Sequence, residues 1–143
     1  LHNGRIPLLP PGGYDFVDVR DVAAAAMSAL TRGATGQKYL LSGQYRTVRE
    51  LAAAIGRITG KRVVQRVMPA SVLRALIPFF RVQARLAGRT PLVTHEALNA
   101  LTEGHPDIRN TKARAELEFR PRGFEETLTD TLEWMRGADL LNG

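Results

Sequence analysis

The sequence predicts an α/β fold that ends in a mostly helical lobe. Three observations carry this. Short β-prone runs alternate with helix-length segments as far as Val67, the pattern of strands layered against helices. A Thr-x-x-Glu capping box, Thr47 to Glu50, opens one of those helices. From Thr94 onward the apolar residues keep helical spacing, as in Phe124, Leu128, Leu132 and Met135.

Residues 1–15 are rich in Pro and Gly (Pro7, Pro10, Pro11, Gly12, Gly13) and read as a loop. Phe16 to Val19 is short and β-prone, a first strand. Asp21 is placed to cap an Ala-rich helix, Val22 to Leu30, closed by Gly33 and Gly36. Lys38 to Leu41 reads as a second strand, ended by Ser42-Gly43. The capping box then starts a helix with Val48, Leu51, Ala52, Ile55 and Ile58 on one face and Gly60 as its stop. Arg62 to Val67 reads as a third strand, and Pro69 begins an apolar, basic helix to Leu86 that Pro78 should kink or break. Thr94 caps a helix through Leu101, Asn110 or Thr111 caps another over Lys112 to Leu117, and Phe124 opens the last. A weak boundary falls near Gly88 to Pro91, where the charge changes sign.

The 143 residues suit one domain, and a hydrophobic fraction of 44% can fill its core. Cysteine is absent, which excludes disulfides and thiolate metal sites and fits a reducing cytoplasm. No apolar run is long enough to span a bilayer, and no signal peptide is visible. The first residue is Leu, as expected of a piece cut from a longer chain. The net charge of +6 is uneven: Arg46 to Arg89 holds ten basic residues and one acid, whereas Pro91 onward holds ten acids and six bases. A basic middle attracts anions. The Arg spacing also tracks the polar face of a helix, which needs no partner.

Chemical motifs are notable for what is missing. Gly33-Ala34-Thr35-Gly36 follows a helix and precedes a strand, the reverse of a dinucleotide fingerprint. Gly56 to Gly60-Lys61 is one residue short of a P-loop and reads as a helix end. His95-Glu96 has Asn99 where a zinc site needs its second His. Tyr45 is followed four residues on by Arg49, so no Tyr-x-x-x-Lys pair exists. Glu125-Glu126 point about 100° apart on a helix and favour its dipole. No catalytic, cofactor-binding or metal set can be assembled from these residues alone.

Two segments nevertheless belong together. Phe16-Val17-Asp18-Val19-Arg20-Asp21-Val22-Ala23 is one. Asn110-Thr111-Lys112-Ala113-Arg114-Ala115-Glu116-Leu117, followed by Pro121 and by Glu125-Glu126-Thr127-Leu128 up to Trp134, is the other. In this order they resemble the C-terminal half of an extended short-chain dehydrogenase/reductase, the NAD-dependent epimerase/dehydratase superfamily. The resemblance runs from about Gly4 to Arg136, and Asp15 to Asp21 with Pro91-Leu92-Val93-Thr94 is most similar to the dihydroflavonol-reductase-like bacterial branch.

That resemblance implies the terminal strand–helix units of an NAD(P)-binding Rossmann fold in residues 1–45, and a small substrate-binding lobe in residues 46–143. It implies a cytoplasmic oxidoreductase, epimerase or dehydratase using NAD or NADP on a carbonyl or alcohol. The cofactor motif and the Tyr and Lys that move the proton would lie in an absent N-terminal half, and this piece alone would be inactive. Leu8, Leu9, Pro10 and Tyr14 from the loop, with Leu76 and Phe80 from the lid helix, are the expected substrate-binding residues. Expected partners are a small-molecule substrate, the chain's own N-terminal half and, at full length, a second copy, with no nucleic acid and no membrane. Sugar-nucleotide epimerases carry an Arg where this chain has Tyr14, and an Arg-x-Gly-Asp-like element where it has Glu103-Gly104-His105-Pro106-Asp107. Both departures weaken a nucleotide-sugar substrate. Two rival readings are a standalone basic module for nucleic acid or another anionic partner, and a noncatalytic interaction domain.

Overall fold

A capping aspartate decides where the first helix begins. The computed structural model describes residues 8–63, 66–86, 88 and 94–140. In it Asp18, not Asp21, is the N-cap of α1 (Val19–Arg32). Its carboxylate accepts the Arg20 N–H at 2.8 Å, and its carbonyl accepts from the N–H groups of Asp21 and Val22. The expected strand therefore gives way at Val19, and β1 runs earlier, over Gly13–Phe16.

The later elements are β2 (Gln44–Thr47), α2 (Val48–Thr59), α3 (Ala70–Leu86), α4 (His95–Thr102), α5 (Thr111–Glu116) and α6 (Phe124–Gly137). β1 and β2 pair in a two-stranded sheet. With six helices among the described residues this is the mixed α/β architecture expected. The strand expected over Lys38 to Leu41 is not formed. Among the described residues no ladder partner meets that segment, and Tyr39 and Leu41 are held by packing instead. Of the strand expected at 62–67, residues 64 and 65 lie outside the described chain, and Val67 makes one parallel bridge with Leu9. Pro78 sits inside an unbroken α3, so the expected break does not occur.

The chain divides into two compact units, each made of two separate stretches. The first holds the segment up to Tyr14 together with Arg46–Gly104. Its core is Leu73, Ile77 and Leu98, against which Met68 and Phe80 pack, and it joins α3 to α4. The capping box of α2 is complete: Thr47 Oγ1 accepts the Glu50 N–H at 3.1 Å, and Glu50 Oε2 accepts the Thr47 N–H at 2.7 Å. Those backbone and hydroxyl bonds from Thr47 hold the Glu50 carboxyl below its ordinary range. Gly60 ends α2 at φ 67°, a left-handed cap that costs glycine nothing. Thr47→Ala should lower unfolding stability in urea by about 1 kcal/mol, the usual worth of such a cap. An unchanged midpoint would show that the box is not needed.

The second unit holds Asp15–Tyr45 and the chain from His105 on. Ala25, Ala113 and Phe119 form its core, with Val17, Tyr39 and Leu41 packed around. Hydroxyl and amide groups tie its two stretches together. Ser28 Oγ donates to the Leu117 carbonyl at 2.8 Å, Ser42 Oγ to Ile108 at 2.7 Å, and Asn110 Nδ2 to Ser42 at 2.7 Å. At the end of α5 the Phe119 N–H returns to the Ala113 carbonyl, which puts Glu118 at φ 56°, a place glycine usually fills.

Candidate functional site

All six expected substrate-binding residues fall in the first unit. Leu9 is only 1% exposed. Its N–H donates to the Arg66 carbonyl at 2.8 Å, and its carbonyl accepts from the Met68 N–H at 2.9 Å. Met68 also packs on Leu73, Ile77 and Leu98, as does Phe80, so Met68 links the loop to α3. Leu76 and Phe80 lie one turn apart on α3 and are half-buried. Phe80 meets Phe79 edge-on with ring centroids 6.0 Å apart. Leu8 and Tyr14 are more open, and Pro10 is half-buried. The arrangement is a buried leucine flanked by accessible apolar groups on a loop and on a helix.

Gly12 shapes that loop. Its φ is 92°, and a Cβ built there would sit 2.0 Å from the Leu101 carbonyl oxygen. Its own carbonyl accepts the Val48 N–H at 3.0 Å, which anchors the loop to the start of α2.

The second unit carries a cluster of linked charges. Asp18 and Asp21 are both buried. Asp18 accepts three bonds from Arg20: the backbone N–H, Nε at 2.9 Å and Nη2 at 2.7 Å. Asp21 accepts the Arg122 N–H at 2.7 Å, Nε at 2.9 Å and Nη2 at 2.8 Å. Arg20 reaches on to Asp130 at 2.7 Å, and Arg122 Nε lies 3.7 Å from Asp18. The Arg20 side chain holds the Asp18 carboxyl far below the ordinary carboxylate range, against the cost of burial. For Asp21 burial acts upward, yet the side-chain and backbone bonds from Arg122 and its charge win, and the net direction is down. Such carboxylates stay ionised and are saturated with donors, so they are poor proton carriers near neutral pH. Their work is to lock α1 to the chain before α6 and to α6 itself. A shallow groove beside them, lined by Asp21, Ala24, Ala25, Phe119 and Arg120, offers no unpaired buried side-chain polar atom.

One Tyr–Lys pair does exist, and its geometry is wrong for proton transfer. Lys112 Nζ lies over the Tyr39 ring, 4.8 Å from its centroid, and bonds Gln37. The Tyr39 hydroxyl donates to Glu116 at 2.6 Å, which raises its pKa, where an acid–base Tyr needs it lowered. Among the described residues no group of three or more His, Asp or Glu side chains is placed to hold a metal. No described helix is long and apolar enough to cross a membrane.

Reading the sequence missed the ionic lock. The signal was there: two aspartates three residues apart at a helix start, and an Arg-x-Arg beside Pro121.

No family model matches the chain. Sterol demethylase protein B from Methylococcus capsulatus is 26% identical over 141 residues, which are 97% of this chain and 43% of that protein. The crystal structure of gox2253 superposes with a TM-score of 0.73 at 30% identity, over 96% of this chain and 41% of the other. PA4631, a nucleoside-diphosphate-sugar epimerase from Pseudomonas aeruginosa, gives 0.70 at 25% identity over 96% and 40%. A Citrobacter triphenylmethane reductase complexed with NADP(H) shares the fold, with 0.58 at 21% identity over 85% and 41%. The chain thus spans about two fifths of the length of the proteins it matches. In fold it matches the C-terminal part of epimerase and reductase structures, and the sequence likeness is consistent with the C-terminal half of an extended short-chain dehydrogenase/reductase.

Proposed function

We propose that this chain is the substrate-binding C-terminal part of an NAD(P)-dependent oxidoreductase, epimerase or dehydratase, whose catalytic Tyr and Lys and cofactor motif lie in a preceding half. One observation carries the reading. Helix α1 buries Ala25 on one side, while its other side presents Val19, Met27 and Leu30 at 77%, 67% and 79% exposure, with Ala23 and Ala26 between them. An apolar helix face of that extent with small residues at its centre suits packing against a sheet. A Rossmann half would supply one.

The cofactor assignment rests on relatives: one fold neighbour was solved with NADP(H). Among the described residues, the start of α1 does not suit a dinucleotide. A pyrophosphate sits at a helix N-terminus free of negative charge, and α1 begins with buried, ionised Asp18 and Asp21. The cofactor would be held elsewhere in the longer protein.

For the substrate, the apolar set Leu8, Leu9, Pro10, Tyr14, Leu76 and Phe80 favours a bulky apolar alcohol or carbonyl. A relative named for sterol demethylation supports that class, and the missing Arg at Tyr14 argues against a nucleotide sugar. In the domain assignment, residues 1–45 return to the Rossmann layer and residues 46–143 carry the lobe. The α5 and α6 helices share a unit with α1 and would contribute to that layer too.

The test is steady-state kinetics of the full-length enzyme on a panel of apolar ketones, secondary alcohols and nucleotide sugars. Turnover is expected with the apolar compounds. Tyr14→Ala and Phe80→Leu should each raise KM about 3–10-fold with kcat nearly unchanged, the mark of lost ground-state contact. Wild-type kinetics in both variants would remove these residues from the pocket. Turnover of nucleotide sugars alone would overturn the substrate class.

A further inference from the structure

The helix α3 has three distinct faces. Leu73, Ile77 and Phe80 turn into the core of the first unit. At 100° per residue, Val72, Phe79, Val82 and Leu86 fall on the opposite side, within one quadrant. These four are 46%, 64%, 60% and 85% exposed. Arg74, Arg81 and Arg85 form a third strip between the two apolar ones, and all three are exposed. The helix contains no acidic residue, and the stretch from Arg46 to Arg89 contains one acid against ten bases.

Each part of this pattern points to the same partner. A stripe of Val, Phe and Leu running the length of a helix about 25 Å long is unfavourable in water. Cations beside it, on a helix that carries no acid of its own, complement an anionic surface. A helix that combines an apolar strip with an Arg-rich flank lies in the plane of a bilayer interface, apolar side down and guanidinium groups at the lipid phosphates. A protein groove would also cover the apolar strip, but the charge bias selects a surface that is anionic throughout. Arg74 is turned toward α4, where its Nη2 bonds Asn99 at 3.1 Å, and the charge of Arg81 reaches Glu96 on that helix, so Arg85 is best placed for headgroups, with Arg81 one turn from it.

We infer that α3 seats this protein peripherally on an anionic lipid bilayer, through Val72, Phe79, Val82 and Leu86, with Arg81 and Arg85 at the headgroups. This departs from the expectation of no membrane partner. It does not depend on which reaction the longer enzyme performs.

The test is co-sedimentation of the full-length protein with vesicles of phosphatidylcholine alone, and of phosphatidylcholine containing about 30% phosphatidylglycerol, a strongly anionic surface. Wild type should pellet with the anionic vesicles and at least tenfold less with the neutral ones, and binding should weaken as salt is raised. Arg81→Glu and Arg85→Glu should each reduce the partition coefficient about fivefold or more, since one cation near such a surface is worth roughly that factor. The double variant Phe79→Glu, Leu86→Glu should abolish binding, and its urea midpoint should match wild type because both positions are exposed. Failure of wild type to pellet with anionic vesicles overturns the inference. So does equal binding by the double variant. Self-association in sedimentation velocity that disappears in the double variant, without vesicle binding, would assign the stripe to a second copy of the chain instead.

Discussion

Asp18→Asn is expected to cost about 2–3 kcal/mol of unfolding stability at neutral pH, measured by urea denaturation followed by circular dichroism. The substitution keeps the shape of the cap and removes only its charge. Two guanidinium groups then face a neutral amide at a buried position. Removing one member of a buried ion pair costs about 3–5 kcal/mol, and the partial exposure of Arg20 and Arg122 reduces that. Asp18→Ala removes the cap as well and should cost about 1 kcal/mol more. The same lock predicts an acid limb. Asp18 and Asp21 both ionise more readily folded than unfolded. As pH falls through the ordinary value of 3.8, the unfolded chain takes up protons first. The stabilisation is therefore complete well above that value and drains away as pH drops toward the folded pKa values below it. The gap between wild type and Asp18→Asn should close as the pH falls below about 4. Parallel stability curves across that range would show that the charge of Asp18 contributes nothing.

Gly12→Ala is expected to be comparably damaging, at about 2–5 kcal/mol in the same experiment. Two costs combine. A residue with a Cβ at φ 92° is strained by about 1–3 kcal/mol. The new methyl would also overlap the Leu101 carbonyl oxygen, a backbone atom that no rotamer change can move aside. Relief requires shifting the loop or the end of α4, and the loop also carries the Gly12–Val48 hydrogen bond. Retention of both wild-type stability and wild-type kinetics would mean the loop has slack that the geometry denies.

The elements that were legible in the sequence are those coded locally. The capping box at Thr47, the stop at Gly60, the Thr94 cap and the apolar rhythm of α6 each depend on residues within a turn or two, and each is found where expected. Elements coded by distant partners were harder. Lys38 to Leu41 has strand composition, yet what it does depends on Ala25, Ala113 and Phe119 far along the chain. Asp21 is the cap the sequence points to, yet Asp18 is the one used, because Arg122 from far along the chain occupies Asp21. The end of α5 was misjudged by one residue because a glutamate, held in a left-handed conformation, stands where a glycine would have announced the turn. For the site, chemistry read from absences was informative: without a fingerprint or a Tyr-x-x-x-Lys pair, no catalytic set could be built here. The depth of Leu9 was not readable, because burial is settled by its bridge to Val67 and not by its neighbours in sequence.

The interleaving of the two units has a consequence for how the chain is made. Everything the first unit needs has been synthesised once Gly104 is added. The second unit needs the residues from His105 on, although its helix α1 precedes the Arg46–Gly104 stretch of the first unit. Another 18 residues, up to Arg122, must be translated before Ala25 meets Ala113 and Phe119 and Asp21 meets Arg122. At about 5–20 residues per second that is a delay of roughly 1–4 seconds. During it, Asp21 lacks Arg122 and Ala25 lacks its core partners, while Asp18 already holds Arg20. A nascent chain stalled after Gly104 should therefore bind ribosome-associated chaperones through α1, and extending it beyond Arg122 should end that binding.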